Sequence, residues 1–335
     1  MKLNKIHICL SLAALATFSA CTQEEILSGD TPNGGEAAFV VSTITPLTRV
    51  SHQGYVHSEM ELDDELGGYV IEKTSEGDGT TLPTYGFMSG YTENARFRVV
   101  AGSYTGSDGQ SYTHALQPEV STDIFPANQR YVFYFPYKVG ADIQHFSHTV
   151  VADQSRETAF ESSDLLRARV NGTADESVVS PSVIGTDETT GQQLLGVKME
   201  HVMASVVLKV ESELVPEEGR EAKLLNIKRT VSGIDLTRAL SKDEQDEAGY
   251  PVHEGETVDQ GDITMWNQGQ EKETTNDGEK VYEIFRAVFP AQTVEHDTRF
   301  LSFLFEGDEA PKIYWMNVNG NKDLVFEPGK YYLFT

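Results

Sequence analysis

Cysteine is nearly missing from this 335-residue chain, with Cys9 and Cys21 alone. Nothing past residue 21 is able to form a disulfide, so the body of the protein must draw its stability from core burial. Basic residues are also scarce, 26 Lys+Arg against 52 Asp+Glu, for a formal charge of −26. Such a surface repels phosphate backbones and anionic lipid, so neither nucleic acid nor electrostatic membrane docking is expected. Catalytic signatures are missing as well. There is no G-x-S-x-G elbow, no P-loop and no H-E-x-x-H pair, and neither an enzyme nor a cofactor is expected. Helical patterning is sparse, with a turn or two over 159–168 and 236–248. The one long apolar run, Ile6 to Phe18, is too short to span a bilayer as a permanent helix.

That run belongs to what the chain does have. Lys2 and Lys5 precede it, and Ser19 and Ala20 follow it into Cys21. The order is that of an export signal, residues 1–20, removed on maturation together with Cys9. A cysteine directly after the small pair also looks like a bacterial lipobox, in which the thiol is acylated, with palmitate for instance, and becomes the new N-terminus. The plainer reading is an ordinary secretory signal beside a chance cysteine. Thr22-Gln23-Glu24-Glu25 resembles the surface-export tag of lipoproteins of some Gram-negative anaerobes, or is a solvated linker. Either way, residues 21–37 read as an acidic tether. The expected location is the outer surface of the cell, with acylated Cys21 held in outer-membrane lipid.

Strands organise the rest. Residues 38–44, AFVVSTI, are rich in β-branched side chains and end before Pro46. Residues 130–137, RYVFYFPY, alternate Tyr131, Phe133 and Phe135 with Val132 and Tyr134, as a strand covered on both faces does. Residues 197–210, VKMEHVMASVVLKV, set Val202, Ala204, Val206, Leu208 and Val210 on one face of a single expected strand. Further short apolar runs lie at 281–289, 299–305, 312–318 and 324–334, separated by Asn319-Gly320 and Pro328-Gly329. The pattern predicts an all-β protein of antiparallel sandwiches. About 310 mature residues exceed one ordinary core. A boundary near Glu211 to Gly219 divides the body into 38–210 and 211–335. The acidic, glycine-rich stretches 63–79, 242–256 and 269–279 read as exposed loops.

Candidate chemistry is thin. His145 and His148 have H-x-x-H spacing, but i and i+3 diverge on a strand, and no third ligand is specified. They read as surface histidines, and no metal site is expected. Asp243, Glu244, Asp246 and Glu247 lack the glycine and ligand ladder of a calcium loop. Asn171-Gly172-Thr173 fits a glycan sequon that most bacteria ignore. His201 reads as an ordinary sheet residue opposite the Val202–Val210 row.

Three stretches in order carry a family resemblance: FPANQRYVFYFPY (125–137), SSDLLRARV (162–170) and VKMEHVMASVVLKV (197–210). With FRAVFPAQ (285–292), FEPGKYYLF (326–334) and the lipobox, they resemble the fimbrillin family, the type V lipoprotein pilins of Gram-negative anaerobes. The resemblance implies two transthyretin-like antiparallel β-sandwich domains in tandem and a structural role in a fimbrium that mediates adhesion. It also implies an assembly route. A trypsin-like, arginine-specific protease cuts behind the first strand. The strand leaves, and a strand of a neighbouring pilin subunit fills the groove head to tail.

Arg49, before Val50, fits the cut, and Phe39, Val40, Val41, Ser42, Thr43 and Ile44 form the strand to be displaced. The bland alternative is a loop arginine that is never processed. The chain stops at Tyr331–Thr335, on an expected strand, where shaft subunits usually continue into a donor segment. The expectation is therefore a truncated sequence or a tip or accessory subunit that accepts a strand and gives none. A different class of reading is a monomeric surface lipoprotein that binds a host glycan or protein through exposed aromatics, with Tyr85, Tyr91, Tyr104 and Trp266 as candidates.

Overall fold

Alternation of β-branched and aromatic residues with small or polar ones dictates strands almost throughout, and a computed structural model shows an all-β protein. It describes residues 35–44, 48–49, 60–76, 83–106, 109–172, 182–187, 190–217, 220–238, 256–275, 278–316 and 322–335. Gly34–Thr335 form one unit. The expected signal at 1–20, Cys21, Val50, Asn319-Gly320 and the 242–255 stretch lie outside the described residues. Among those described, no helix is long and apolar enough to cross a membrane.

The largest sheet has nine strands: β1 (Ala37–Ile44), β3 (Glu65–Ser75), β4 (Thr84–Phe87), β5 (Ala95–Thr105), β6 (Ser111–Pro118), β7 (Arg130–Phe135), β9 (Leu166–Asn171), β10 (Val183–Thr186) and β11 (Gln193–His201). Their order is β1-β6-β5-β3-β7-β9-β11-β10, with β4 beside β3. Because β1 also pairs with β11, the sheet closes on itself through its first strand. Leu66, Val70, Phe97, Phe125, Tyr131, Phe133, Val197 and Met199 fill the interior.

The second sheet runs β15 (Trp266–Thr275), β16 (Gly278–Phe289), β12 (Ala204–Glu211), β21 (Lys330–Phe334), β2 (Thr48–Arg49). The third runs β14 (Glu256–Thr264), β13 (Ala222–Ile234), β18 (Arg299–Phe303), β19 (Lys312–Trp315), with β8 (Phe146–Thr149) also on β13. A small ribbon pairs β17 (Gln292–Val294) with β20 (Leu324–Phe326), and one short helix, α1, spans Glu157–Ser163. Short stretches of the first half, β2 and β8, thus serve sheets built mainly by the second. A continuous core joins Val206, Phe285, Phe289 and Phe303 to Tyr69, Val132 and Tyr134 on the outer face of the first sheet. Strand β7 is therefore covered on both sides, as its aromatic alternation requires.

Three expectations are overturned. Within the stretch 63–79, Glu65–Ser75 form strand β3 rather than an exposed loop, and Leu66 to Ile71 are buried in the middle of the first sheet. Gly67 and Gly68 contribute to the glycine-rich composition of that stretch, yet they are small because aromatics lie across them. A Cβ on Gly67 would stand 2.1 Å from the Tyr134 ring, and one on Gly68 2.5 Å from Phe97. Residues 197–210 are two strands: Val202-Met203 separates β11 of the first sheet from β12 of the second. Within β12 the expected row holds, with Ala204, Val206, Leu208 and Val210 on the shared core and Val207 on the opposite side. Residues 269–275 and 278–279 are strand rather than loop, in the β15–β16 hairpin.

Candidate functional site

The expected first strand sits in a slot with two walls. β1 runs parallel to β11, pairing Phe39 with Leu195 and Val41 with Val197. It runs antiparallel to β6, pairing Phe39 with Leu116 and Val40 with Ala115. Its entry is tied by Ala37 N–H donating to Phe125 O at 2.9 Å and by Ala127 N–H donating to Gly35 O at 2.8 Å. A register shift between Val41 and Thr43 marks a bulge, beyond which Thr43 and Ile44 stay paired with Lys198 and Met199.

Period-two geometry sends successive β1 side chains to opposite faces. Phe39 is 2% exposed and points into the closed sheet. Its ring meets Tyr131 at 4.8 Å, Phe133 at 5.0 Å, Phe97 at 6.0 Å and Phe125 at 6.1 Å, each steeply inclined. Such edge-on pairs are favourable beyond the area they bury. Val40 faces the other way, against Tyr112, Ala115 and Leu194, and is fully enclosed. Val41 is half-buried against the interior cluster. Full burial of Phe39 and Val40 alone is worth about 1.5–3 kcal/mol each. Without β1 the facing ladders of β6 and β11 lose their partners, and Phe97, Phe125, Tyr131 and Phe133 line an open trough.

Arg49 lies in a different sheet. With Thr48 it forms β2, paired parallel to Lys330 and Tyr331 at the edge of the second sheet. The expected strand and the expected cut therefore span two sheets. No sequence signal marks β2, because two residues carry no period, or β11 as a parallel neighbour, because register is a tertiary property.

The other candidates scatter. His148 is buried rather than superficial: it belongs to β8, and its Nε2 is 2.9 Å from Ser163 O. Its neutral form donates there, and burial, partly offset by that bond, pushes its pKa below the ordinary 6.5. His145 is exposed beside Asp142 at 3.1 Å. His201 is buried, its Nδ1 2.7 Å from Asp164 Oδ2. Asn171 of the sequon is 1% exposed. Among the described residues no three His, Cys, Asp or Glu side chains gather at metal distance.

Of the four candidate aromatics, Tyr85 is buried, and Tyr91, Tyr104 and Trp266 are half-buried, with Trp266 5.2 Å from Phe160. Among the described residues, the aromatics that do face solvent are Tyr314 and Trp315, next to exposed Ile313 on β19. The apolar run at 312–318 marked that segment as a strand and carried no sign that both its faces are open.

No protein-family model and no curated protein matches the chain. Among solved structures it is similar to a fimbrial protein from Bacteroides ovatus, at 15% identity and a TM-score of 0.43 over 91% of this chain and 49% of that one. The chain thus spans about half the length of that protein. It is also similar to a "putative cell adhesion protein" from Bacteroides uniformis, at 18% identity and a TM-score of 0.44 over 90% and 92% of the two chains. A third, of the same description from Bacteroides ovatus, has 12% identity and a TM-score of 0.46 over 87% and 90%. At this level the likeness lies in the run of the backbone and transfers no residue role. Fimbrial and adhesion proteins of Bacteroides are what this chain is similar to, the kind of protein that its motif order resembles.

Proposed function

We propose that the chain is a structural fimbrial subunit, built as two transthyretin-like β-sandwich domains and assembled at the cell surface by exchange of its first strand. One observation carries the proposal: an N-terminal strand closes the largest sheet, and the chain behind it holds an arginine. In this reading the precursor reaches the outer membrane as a lipoprotein on acylated Cys21. A trypsin-like protease then cuts between Arg49 and Val50. Both β1 and β2 belong to the released piece, so one cut unpairs β6, β11 and the outer ladder of β21.

Such a groove selects its occupant physically. Unpaired N–H and C=O groups on both walls favour an extended strand, and the Phe97–Phe133 trough favours a large apolar side chain at the place of Phe39. The replacement runs parallel to β11 and comes from the next pilin subunit. That contact is head to tail and grows a filament rather than a closed ring. Position in the filament, whether tip, accessory or shaft, follows from whether the subunit also donates a strand.

Limited trypsin digestion with N-terminal sequencing and size analysis tests this reading. A single early cut after Arg49, followed by oligomer ladders on adding a donor-bearing partner, supports it. Arg49→Gln then abolishes both. Resistance at Arg49 in a chain that stays monomeric favours the second reading, a monomeric surface adhesin for a host glycan or protein. The exposed Ile313, Tyr314 and Trp315 are the observation behind that alternative.

A further inference from the structure

A polar groove lies on the outer side of the first sheet, across one end of β3, β5 and β6. Leu66 of β3, Phe97 and Val99 of β5 and Leu116 of β6 point into the closed sheet. Period-two geometry therefore sends Glu65, Arg96, Arg98 and Gln117 outward. Register sets them side by side, Glu65 paired with Arg98 and Arg98 with Gln117. With Glu119 and Ser121, which follow β6, they border a cavity of about 260 Å³. That lies just below the range of ordinary small-molecule clefts, about 300–1,000 Å³, and suits one small ring rather than a long chain.

The charged groups of the groove form a chain of mostly loose pairs. Arg96 holds Glu65 closely and reaches Glu119 at 3.4 Å. Arg98 stands 3.6 Å from Glu65 and 3.6 Å from Asp63. Charge-assisted bonds of full strength run about 2.7–2.9 Å, so every pair but Arg96–Glu65 is stretched. The Arg96 guanidinium also lies 5.3 Å from the centre of the Tyr137 ring, which fixes its place in the wall. Arg98 and Glu119 are half-exposed. Each keeps hydrogen-bonding capacity on the solvent side, since a guanidinium carries five N–H donors and a carboxylate about four acceptor sites.

Ligand chemistry follows from these pairs. An anion meets the carboxylates of Asp63, Glu65 and Glu119, and a cation meets both guanidinium groups. Either one has to part an existing pair to enter. A hydroxyl does not: it donates to a carboxylate while its oxygen accepts from the neighbouring N–H, and so bridges a stretched pair without separating charge. We infer that the groove is a binding site for a neutral sugar ring. Its vicinal hydroxyls bridge Arg98 to Glu65 and Arg96 to Glu119, and the Gln117 amide offers a further donor and acceptor. Binding here needs neither a cut at Arg49 nor any residue of β19, so it stands apart from strand exchange and from adhesion through β19.

Saturation-transfer NMR tests the site, with glucose, galactose, mannose and N-acetylglucosamine as probes and glucuronate as the charged control. Saturation is expected on the ring protons of at least one neutral sugar. Arg98→Met should raise the dissociation constant of that sugar about tenfold through lost hydrogen bonds to a charged group. Glu119→Gln should weaken it too, and Trp315→Ala should leave it unchanged. Both groove positions are half-exposed, so melting of the two variants should match that of the parent protein. No transfer to any neutral probe overturns the inference, as does transfer to glucuronate alone. Transfer that survives both groove variants overturns it as well, and its loss with Trp315→Ala would then put the sugar on β19.

Discussion

Strands β1 and β19 each carry three consecutive apolar residues, Phe39-Val40-Val41 and Ile313-Tyr314-Trp315, yet they have opposite fates. β1 is paired on both ladders, and Phe39 and Val40 are buried on its opposite faces. Among the described residues β19 pairs with β18 alone, and all four of its residues are exposed, Trp315 at 56%. Hydrophobicity along the chain does not separate them. The number of walls around each strand does. An apolar strand with two walls is a structural plug, whereas one with a single wall is an edge available to a partner.

The sharpest way to break this comparison is Phe39→Ala, which opens a cavity among four aromatic rings. It should cost about 3–5 kcal/mol, read as a lowered denaturant midpoint at unchanged slope. A loss near zero would mean that β1 is already displaced in solution. Next in size is Gly67→Ala, which sharpens the claim that the closed sheet is packed to contact around the plug. A Cβ there meets Tyr134 at 2.1 Å, and a loss of about 1–3 kcal/mol is expected from overpacking in the same assay.

The third prediction concerns the sheet that ends in β19, which is sealed on β13 by the buried His148 of β8. Its folded pKa lies below the ordinary 6.5, so the unfolded chain binds the proton more readily. The stabilisation is complete above pH 6.5 and is lost as pH falls from there towards the folded value. Thermal melts at pH 7 and pH 5 should show this slope. His148→Gln should flatten it, whereas His145→Gln, at an exposed position, should not. Smallest is Trp315→Ala, expected to change stability within about 0.5 kcal/mol because little area is lost from the core. A loss comparable to that of Phe39→Ala would show that β19 is no free edge.

Much of the fold was legible from local pattern. The alternation in residues 130–137 announced a strand with two apolar faces, and Tyr131 and Val132 face different cores as that requires. The strand at 38–44 was visible from its β-branched run, although its partners were not. Pattern misled where one residue type serves two purposes. Gly67-Gly68 has the composition of a turn and the function of a clearance for rings, and nothing within 65–75 identifies those rings. Val202-Met203 reads as the middle of one strand because apolar residues continue through it, while the backbone passes there from one sheet to another. His148 looked superficial because its environment is supplied by Ser163, fifteen residues away.

What the sequence by itself determined is the class of the molecule and its staves: an acidic, strand-built body with no cysteine past residue 21, an apolar strand at 38–44 and an arginine behind it. Composition and period carry that information because they depend on neighbours one to a few residues apart. Only the tertiary structure decided that β1 lies parallel to β11, that β2 borders β21 in another sheet, and that Trp315 rather than Tyr85 meets solvent. Ladder pairing and burial join residues more than a hundred positions apart, as Phe39 is joined to Leu195, and the free energy that selects them exists only once both strands are in place.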